Sequence, residues 1–100
     1  MVRLLKIRGD SLWPDFSEGD YVLALGVPVP VRKIKAGDVI VFHQPGYGTL
    51  IKRVKRVLGD GQAFEVRGTQ VYSTDSRNFG SVLRKHVSGK VIWHIRGKNP

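Results

Sequence analysis

The sequence predicts an all-β domain with little helix, and three observations support this. Short runs rich in β-branched residues recur along the chain, as they do in proteins built from many short strands. Gly-Asp dipeptides stand between several of these runs, where glycine supplies a positive φ and aspartate bonds to the nearby backbone in a turn. No ten-residue segment carries the apolar stripe of an amphipathic helix.

The predicted strands follow one another in sequence, with turns between them. Six segments carry the strand pattern, at residues 4–7, 21–25, 39–42, 49–58, 63–66 and 87–95. Gly-Asp turns are expected at Gly9-Asp10, Gly19-Asp20, Gly37-Asp38 and Gly59-Asp60. Residues 26–33 contain two prolines, so we expect an extended connection or a sheet edge there. A chain of 100 residues makes one domain, and we expect it to span 1–100, with a core at 3–96 and a frayed tail at 97–100.

Composition excludes several kinds of functional site. The chain is 41% hydrophobic and 25% charged, which indicates a folded domain and not a disordered tail. It contains no cysteine, so disulfides, thiolate zinc sites and cysteine nucleophiles are excluded. His43, His86 and His94 lack the spacing of metal ligands. We therefore expect neither a metal nor a cofactor.

Hydropathy and charge bear on location and partners. The longest apolar stretch, residues 21–31, is interrupted by one glycine and two prolines and is too short to span a bilayer. The first residues lack the apolar segment and cleavage site of a secretory signal. We expect a cytoplasmic protein with no transmembrane segment. The net charge of +9 permits contact with nucleic acid, acidic membrane surfaces or acidic peptides, and selects none of them.

A serine and a lysine are the candidate chemical groups. Ser11 lies in a turn between two predicted strands, and its hydroxyl needs a base to become a nucleophile. Strand alternation puts Lys52 on the same face as Leu50 and Val54, where burial would lower its pKa towards that of a usable base. Two simpler interpretations stay open: Lys52 can be a surface residue with a buried stem, and Ser11 can simply cap a turn.

Several segments of the chain resemble the conserved boxes of the type I signal peptidases and LexA-like Ser/Lys proteases, and they occur in the same order along the sequence. Gly9-Asp10-Ser11-Leu12-Trp13-Pro14 resembles their nucleophile box, although Leu12 replaces the usual methionine, and a Gly-Asp and an apolar strand follow it. Ile51-Lys52-Arg53-Val54 resembles the general-base box. The other similar segments are residues 33–42, the Ser-x-Asp-Ser-Arg box within 73–80, and the closing strand at 89–91.

The resemblance implies a fold and a set of roles. The fold would be the LexA/signal-peptidase-like domain of strongly bent antiparallel strands. Ser11 would be the nucleophile, Lys52 the general base, and Ser73 the residue that orients the Lys52 amine. Asp75 and Arg77 would form a structural ion pair, which is also what a simple polar turn would contain. Gly9 takes the place where some members have a second oxyanion donor.

The resemblance also suggests a small protein that removes a leader. With neither a membrane anchor nor a DNA-binding domain ahead of Ser11, the chain looks most like the small soluble maturation proteases of nickel-type superoxide dismutase. These remove a leader from a precursor polypeptide. Leu12, Trp13 and Phe16 would flank the substrate cleft or contact a membrane surface peripherally; alternatively, Trp13 and Phe16 are core aromatics.

Two other classes of function stay open. A basic all-β domain is also typical of nucleic-acid-binding barrels, in which basic residues follow the phosphates. The candidate residues for such a patch are Arg53, Lys55, Arg56, Arg84, Lys85 and Lys90. The third class is a catalytically inactive relative that binds peptides without cleaving them.

Overall fold

Seven antiparallel strands form one sheet in the computed structural model, which describes residues 2–9, 12, 15–26, 34–69 and 73–97. The strands are β1 (Val2–Lys6), β2 (Tyr21–Gly26), β3 (Val39–Gln44), β4 (Gly48–Leu58), β5 (Ala63–Arg67), β6 (Val82–Leu83) and β7 (Val87–Ile95). Among the described residues, the helical elements are α1 (Ser76–Phe79) and two 3-10 turns at Gly59–Gly61 and Arg84–His86. The all-β class and all six predicted strands are confirmed; the sequence had not indicated β6 or α1.

The order of strands across the sheet is β1-β2-β7-β3-β4-β5-β6. The last strand of the chain, β7, therefore pairs with both β2 and β3 and joins the two halves of the sheet. The register shifts within three of the pairings, at Leu23/Ala24, Val41/Phe42 and Val54/Arg56. Such bulges bend a strand, which agrees with the strongly bent strands that were expected.

Two apolar clusters cover opposite faces of this bent sheet. Successive residues of a strand point to opposite faces, and all four residues from Val39 to Phe42 in β3 are buried. One core cluster contains Ile34, Ile40, Phe42, Val54, Phe64, Val66, Val82 and Val87. The other contains Ile7, Leu12, Phe16, Val22 and Val39. Strand β3 thus lies between two cores, and the sheet is covered on both sides at its centre.

The buried Asp20 carboxylate joins the start of β2 to the residue that follows Arg96. It accepts hydrogen bonds from the Gly97 N–H at 2.7 Å and the Ser17 N–H at 3.0 Å, and its Oδ2 lies 2.6 Å from Nε2 of His94. The Gly97 and Ser17 N–H groups and His94 lower the pKa of Asp20 to about 2 despite its burial. Only glycine fits at position 97, because a Cβ there would lie 2.5 Å from the Gly19 carbonyl oxygen.

Three segments for which the sequence made predictions lie wholly or partly outside the described residues. These are the proline-containing connection, of which residues 27–33 are affected, the end of the tail at 98–100, and residues 10, 11, 13 and 14 of the nucleophile box.

Candidate active site

A cleft of about 480 Å³ lies between the C-terminal end of β1 and the first half of β4. Its lining is largely apolar, and six polar or charged side chains come from three segments distant in sequence. The lining residues are Leu5, Lys6, Ile7, Arg8, Gly9, Leu12, Thr49, Leu50, Ile51, Lys52, Ser73 and Thr74. The cleft therefore brings together the residues ahead of Ser11, the general-base box and the start of the Ser-x-Asp-Ser-Arg box.

One side of the cleft is an open strand edge on β1. This strand pairs only with β2 in the described part of the chain. Just beyond it, Ile7 uses both of its backbone groups on the β2 side, since its N–H donates to Asp20 at 2.7 Å and its carbonyl accepts from Gly19 at 3.0 Å. Backbone groups alternate in direction along an antiparallel strand, so those of Lys6 and Arg8 point away from β2 towards the cleft.

The other side of the cleft is an open edge on β4. The Val54 N–H donates to the Asp38 carbonyl at 2.7 Å, so the even-numbered residues of this part of β4 bond towards β3. The backbone groups of Thr49 and Ile51 point the other way. Within the described residues, β5 pairs with β4 only from Arg53 onward. The edge at Thr49 and Ile51 is therefore open, and the cleft lies between two unpaired strand edges.

Lys52 is buried in this cleft, with 4% of its surface exposed. It pairs with Ile40 of β3, and its neighbours Leu50 and Val54 pack in the same core cluster, so the predicted face is confirmed. Burial lowers the pKa of Lys52, because desolvation disfavours the ammonium form. The Asp75 carboxylate opposes this shift and the Arg77 guanidinium adds to it.

Asp75 holds the loop that carries Ser73 in place through several hydrogen bonds. Its fully buried carboxylate accepts hydrogen bonds from the Gly68 N–H at 2.8 Å, from the Arg77 N–H at 3.0 Å, and from Nε and Nη2 of Arg77 at 2.9 and 2.8 Å. Burial opposes its ionisation, but these hydrogen bonds outweigh burial and hold the pKa of Asp75 at about 2. The predicted Asp75–Arg77 ion pair is therefore present. Asp75 is also the N-cap residue of helix α1.

The remaining predicted site residues fall into three groups. Ser73, Leu12 and Gly9 line the cleft together with Lys52, and Gly9 has the positive φ of 77° that favours glycine. Phe16 is buried in a core cluster with its ring centroid 4.5 Å from that of His94, so it fits the core alternative and is not part of the cleft wall. Ser11 and Trp13 lie outside the described residues.

The sequence did not single out two basic residues of the cleft. Lys6 and Arg8 line it and precede Gly9 by three residues and one. Their alternation with the apolar Leu5 and Ile7 was visible in the sequence. It carried no information about the cleft, because the open edge of β1 depends on pairing with β2 and on the distant position of β4.

A comparison with protein-family models decides the family. The model described as "Signal peptidase, peptidase S26" matches residues 1–72 of the chain, which is well over half of its length. The chain belongs to the signal peptidase family S26. No curated protein matches it significantly.

Membership of the signal peptidase family makes the protein a signal-peptidase-like serine peptidase at family level, with a polypeptide as its class of substrate. The match covers the nucleophile and general-base boxes but ends before Ser73, Asp75 and Arg77. In the described part of the chain, no helix is long and apolar enough to cross a membrane.

We expect Asp75→Asn to destabilise the fold by about 2 kcal/mol at pH 7, because it removes the charge of a fully buried carboxylate that accepts hydrogen bonds from Gly68 and from the partly exposed Arg77. The folded pKa of Asp75 is about 2, below the ordinary value of 3.8. Its ionisation therefore stabilises the protein above about pH 4, and that stabilisation is lost as the pH falls towards 2. Urea unfolding between pH 7 and pH 2 measures both effects.

The matched control is Asp60→Asn, which removes a carboxylate from an exposed turn at a positive φ of 54° and should change stability by no more than about 0.5 kcal/mol. Equal stability of the two variants across the pH range would contradict the role assigned to Asp75.

Proposed function

We propose that this protein is a serine endopeptidase that cleaves an extended polypeptide with a Ser11/Lys52 dyad. The observation that supports it most directly is the buried Lys52 in a cleft between two open strand edges. An extended peptide can add to such edges through main-chain hydrogen bonds. This would hold its backbone beside a lysine whose pKa is lowered by burial.

The proposed chemistry uses the neutral form of Lys52. Its Nζ takes the proton of the Ser11 hydroxyl as the serine oxygen attacks the carbonyl carbon of the scissile bond. The C–N bond then breaks, and the Lys52 ammonium returns the proton to the departing amine. Water attacks the resulting ester, giving a proton to Lys52, and Ser11 leaves with that proton.

Three other groups would support this reaction. Ser73 would orient the Lys52 amine, which is consistent with its burial in the same cleft. Asp75 and Arg77 would hold the Ser73 loop through the ion pair described above. The Ser11 N–H would donate to the oxyanion, an interaction that is typically worth about 3 kcal/mol in the transition state. Gly9 would leave room for a second donor.

We propose that the enzyme removes a short leader from a precursor protein, and the maturation of nickel superoxide dismutase is the specific case we favour. The support is the resemblance of the boxes around Ser11 and Lys52 to those of the signal peptidases and LexA-like Ser/Lys proteases, a group that includes the small maturation proteases. The cleft itself is consistent with any extended chain.

The nucleic-acid-binding alternative has less support. Three residues of the basic patch that it requires are engaged in ion pairs: Arg53 with Asp15, Arg56 with Glu65, and Lys90 with Asp38. Charge that is neutralised within the protein contributes little to phosphate binding. The remaining alternative, an inactive relative that binds peptides, is distinguished from an active peptidase by the cleavage assay described next.

We expect Ser11→Ala and Lys52→Met to lower cleavage of leader-bearing peptides by at least about a thousandfold, because the first removes the nucleophile and the second the base. The kcat/KM of the wild type should rise with pH to a plateau with a midpoint below 10.5, since burial lowers the Lys52 pKa and only the neutral amine is active. Mass spectrometry of the products and initial rates between pH 6 and pH 11 provide the measurements.

Lys55→Met is the control, because this exposed lysine lies on the same strand and its loss should leave the rate within about twofold. Cleavage that persists in Ser11→Ala would contradict the mechanism. Binding of peptides without cleavage by the wild type would favour the inactive relative.

We further propose that the protein contacts an acidic membrane surface peripherally. One face of β1, β2 and β7 carries an apolar surface in register, with Leu4 opposite Leu23 and Leu23 opposite Trp93. Leu4 and Trp93 are 58% and 63% exposed. The full apolar face consists of Val2, Leu4, Tyr21, Leu23, Trp93 and Ile95. Aromatic side chains favour the membrane interface, and the net charge of +9 favours acidic lipids.

Vesicle binding tests the membrane contact. We expect the protein to sediment with vesicles containing phosphatidylglycerol, and the Leu4→Ser/Trp93→Ser variant to bind at least about tenfold more weakly because it loses exposed apolar area. Leu83→Ser, on strand β6 at the opposite edge of the sheet, is the control and should bind like the wild type. Equal binding by all three proteins would contradict the proposed contact.

A further inference from the structure

We infer that the cleft selects peptides with acidic side chains at alternate positions beside the scissile bond, an inference that rests on the proposed peptidase function. The selecting residues are Lys6 and Arg8. Both line the cleft, and both are exposed. Their part in the reaction would be to choose the substrate, and they would take no part in the proton transfers at Lys52.

The described lining of the cleft is positively charged. It contains three cationic residues, Lys6, Arg8 and Lys52, and no carboxylate. With Lys52 neutral, as the proposed mechanism requires, two positive charges remain at the side formed by β1. A peptide strand bound there lies next to these charges in a partly enclosed space, where they are screened less than on an open surface.

Lys6 and Arg8 have no acidic partner among the described residues. The ion pairs there engage Asp15, Asp38, Glu65, Asp75 and Asp20, and none of them includes Lys6 or Arg8. A chain with 17 basic and only eight acidic residues has few carboxylates to spare. As far as the described residues go, these two charges are therefore available to an acidic ligand.

Strand geometry sets the spacing of the acidic positions. Residues 6 and 8 point to one face of the extended segment, and Leu5 and Ile7 point to the other, where they pack in a core cluster. Since the backbone groups of Lys6 and Arg8 face the cleft, a bound peptide strand would lie directly alongside them. Opposite charges directly across a strand pair attract. The preferred peptide thus has acidic residues two positions apart, with an apolar residue between them facing Leu5 and Ile7.

A peptide series measures this selectivity. The kcat/KM values are compared for internally quenched peptides that carry Glu-x-Glu, Gln-x-Gln or Lys-x-Lys next to the cleaved bond. For two partly exposed charge pairs we expect kcat/KM to favour the Glu peptide over the Gln peptide by about tenfold at low ionic strength. The preference should fall below about twofold at 0.5 M salt, because the screening length shortens.

Charge-reversal variants locate the preference. Lys6→Glu/Arg8→Glu should reverse the order, so that the Lys peptide becomes a better substrate than the Glu peptide. Arg84→Glu/Lys85→Glu makes the same change in net charge on a 3-10 turn that does not line the cleft, and it should keep the wild-type order. Equal reversal by both variants would show a whole-protein charge effect and overturn the inference.

The two proposals can fail separately. Equal cleavage of the Glu and Gln peptides by the wild type would overturn the selectivity and leave the peptidase standing. Binding to the Ser11→Ala variant gives a second readout that needs no cleavage. A tighter Kd for the Glu peptide in that variant, without cleavage by the wild type, would support the selectivity and contradict the peptidase. Equal Kd values for the Glu and Gln peptides would overturn the selectivity.

Discussion

The burial of one lysine is the constraint on which the proposed site depends. An ammonium group is costly to desolvate, so a chain that buries Lys52 between Leu50 and Val54 must either pair its charge or release its proton. The neighbouring charges do not settle this, because Asp75 favours the charged form of Lys52 and Arg77 disfavours it. Asp75 accepts its hydrogen bonds from Arg77 and Gly68, and the charges of Asp75 and Arg77 act in opposite directions on the pKa of Lys52. Desolvation is then the largest influence, and it favours the neutral amine.

The curvature of the sheet places the buried Lys52 in a cleft. Strand β1 lies at one edge of the sheet and β4 is separated from it by three strands, yet both line one cleft because the sheet curves. In the described part of the chain, each of the two strands contributes an open edge to the cleft. The buried lysine belongs to β4. A flat sheet with the same strand order would keep these edges apart. The bulges in the β2–β7, β3–β7 and β4–β5 pairings, which bend the strands, therefore help to form the site.

The sequence predicted local features well and long-range ones poorly. The six long strands and the inward direction of Lys52 follow from β-branched runs and two-residue alternation, which neighbouring residues determine. Strand β6 has two residues, too few to give a periodic signal. The cleft position of Lys6 and Arg8 and the exposed apolar face around Trp93 depend on pairing between residues about 15 to 75 positions apart in sequence. Phe16 had two sequence interpretations, cleft wall or core aromatic, and its place in a core cluster against the His94 ring supports the second.

The central claim is that Lys52 is available as a neutral base, and its titration tests that claim most directly. Lysines labelled with carbon-13 at the ε position can be followed by NMR as the pH rises, and the Lys52 signal is assigned by its absence in Lys52→Arg. Burial lowers the pKa of Lys52, so its midpoint should lie clearly below those of the exposed lysines such as Lys55. A Lys52 signal that titrates together with the exposed lysines would contradict the account.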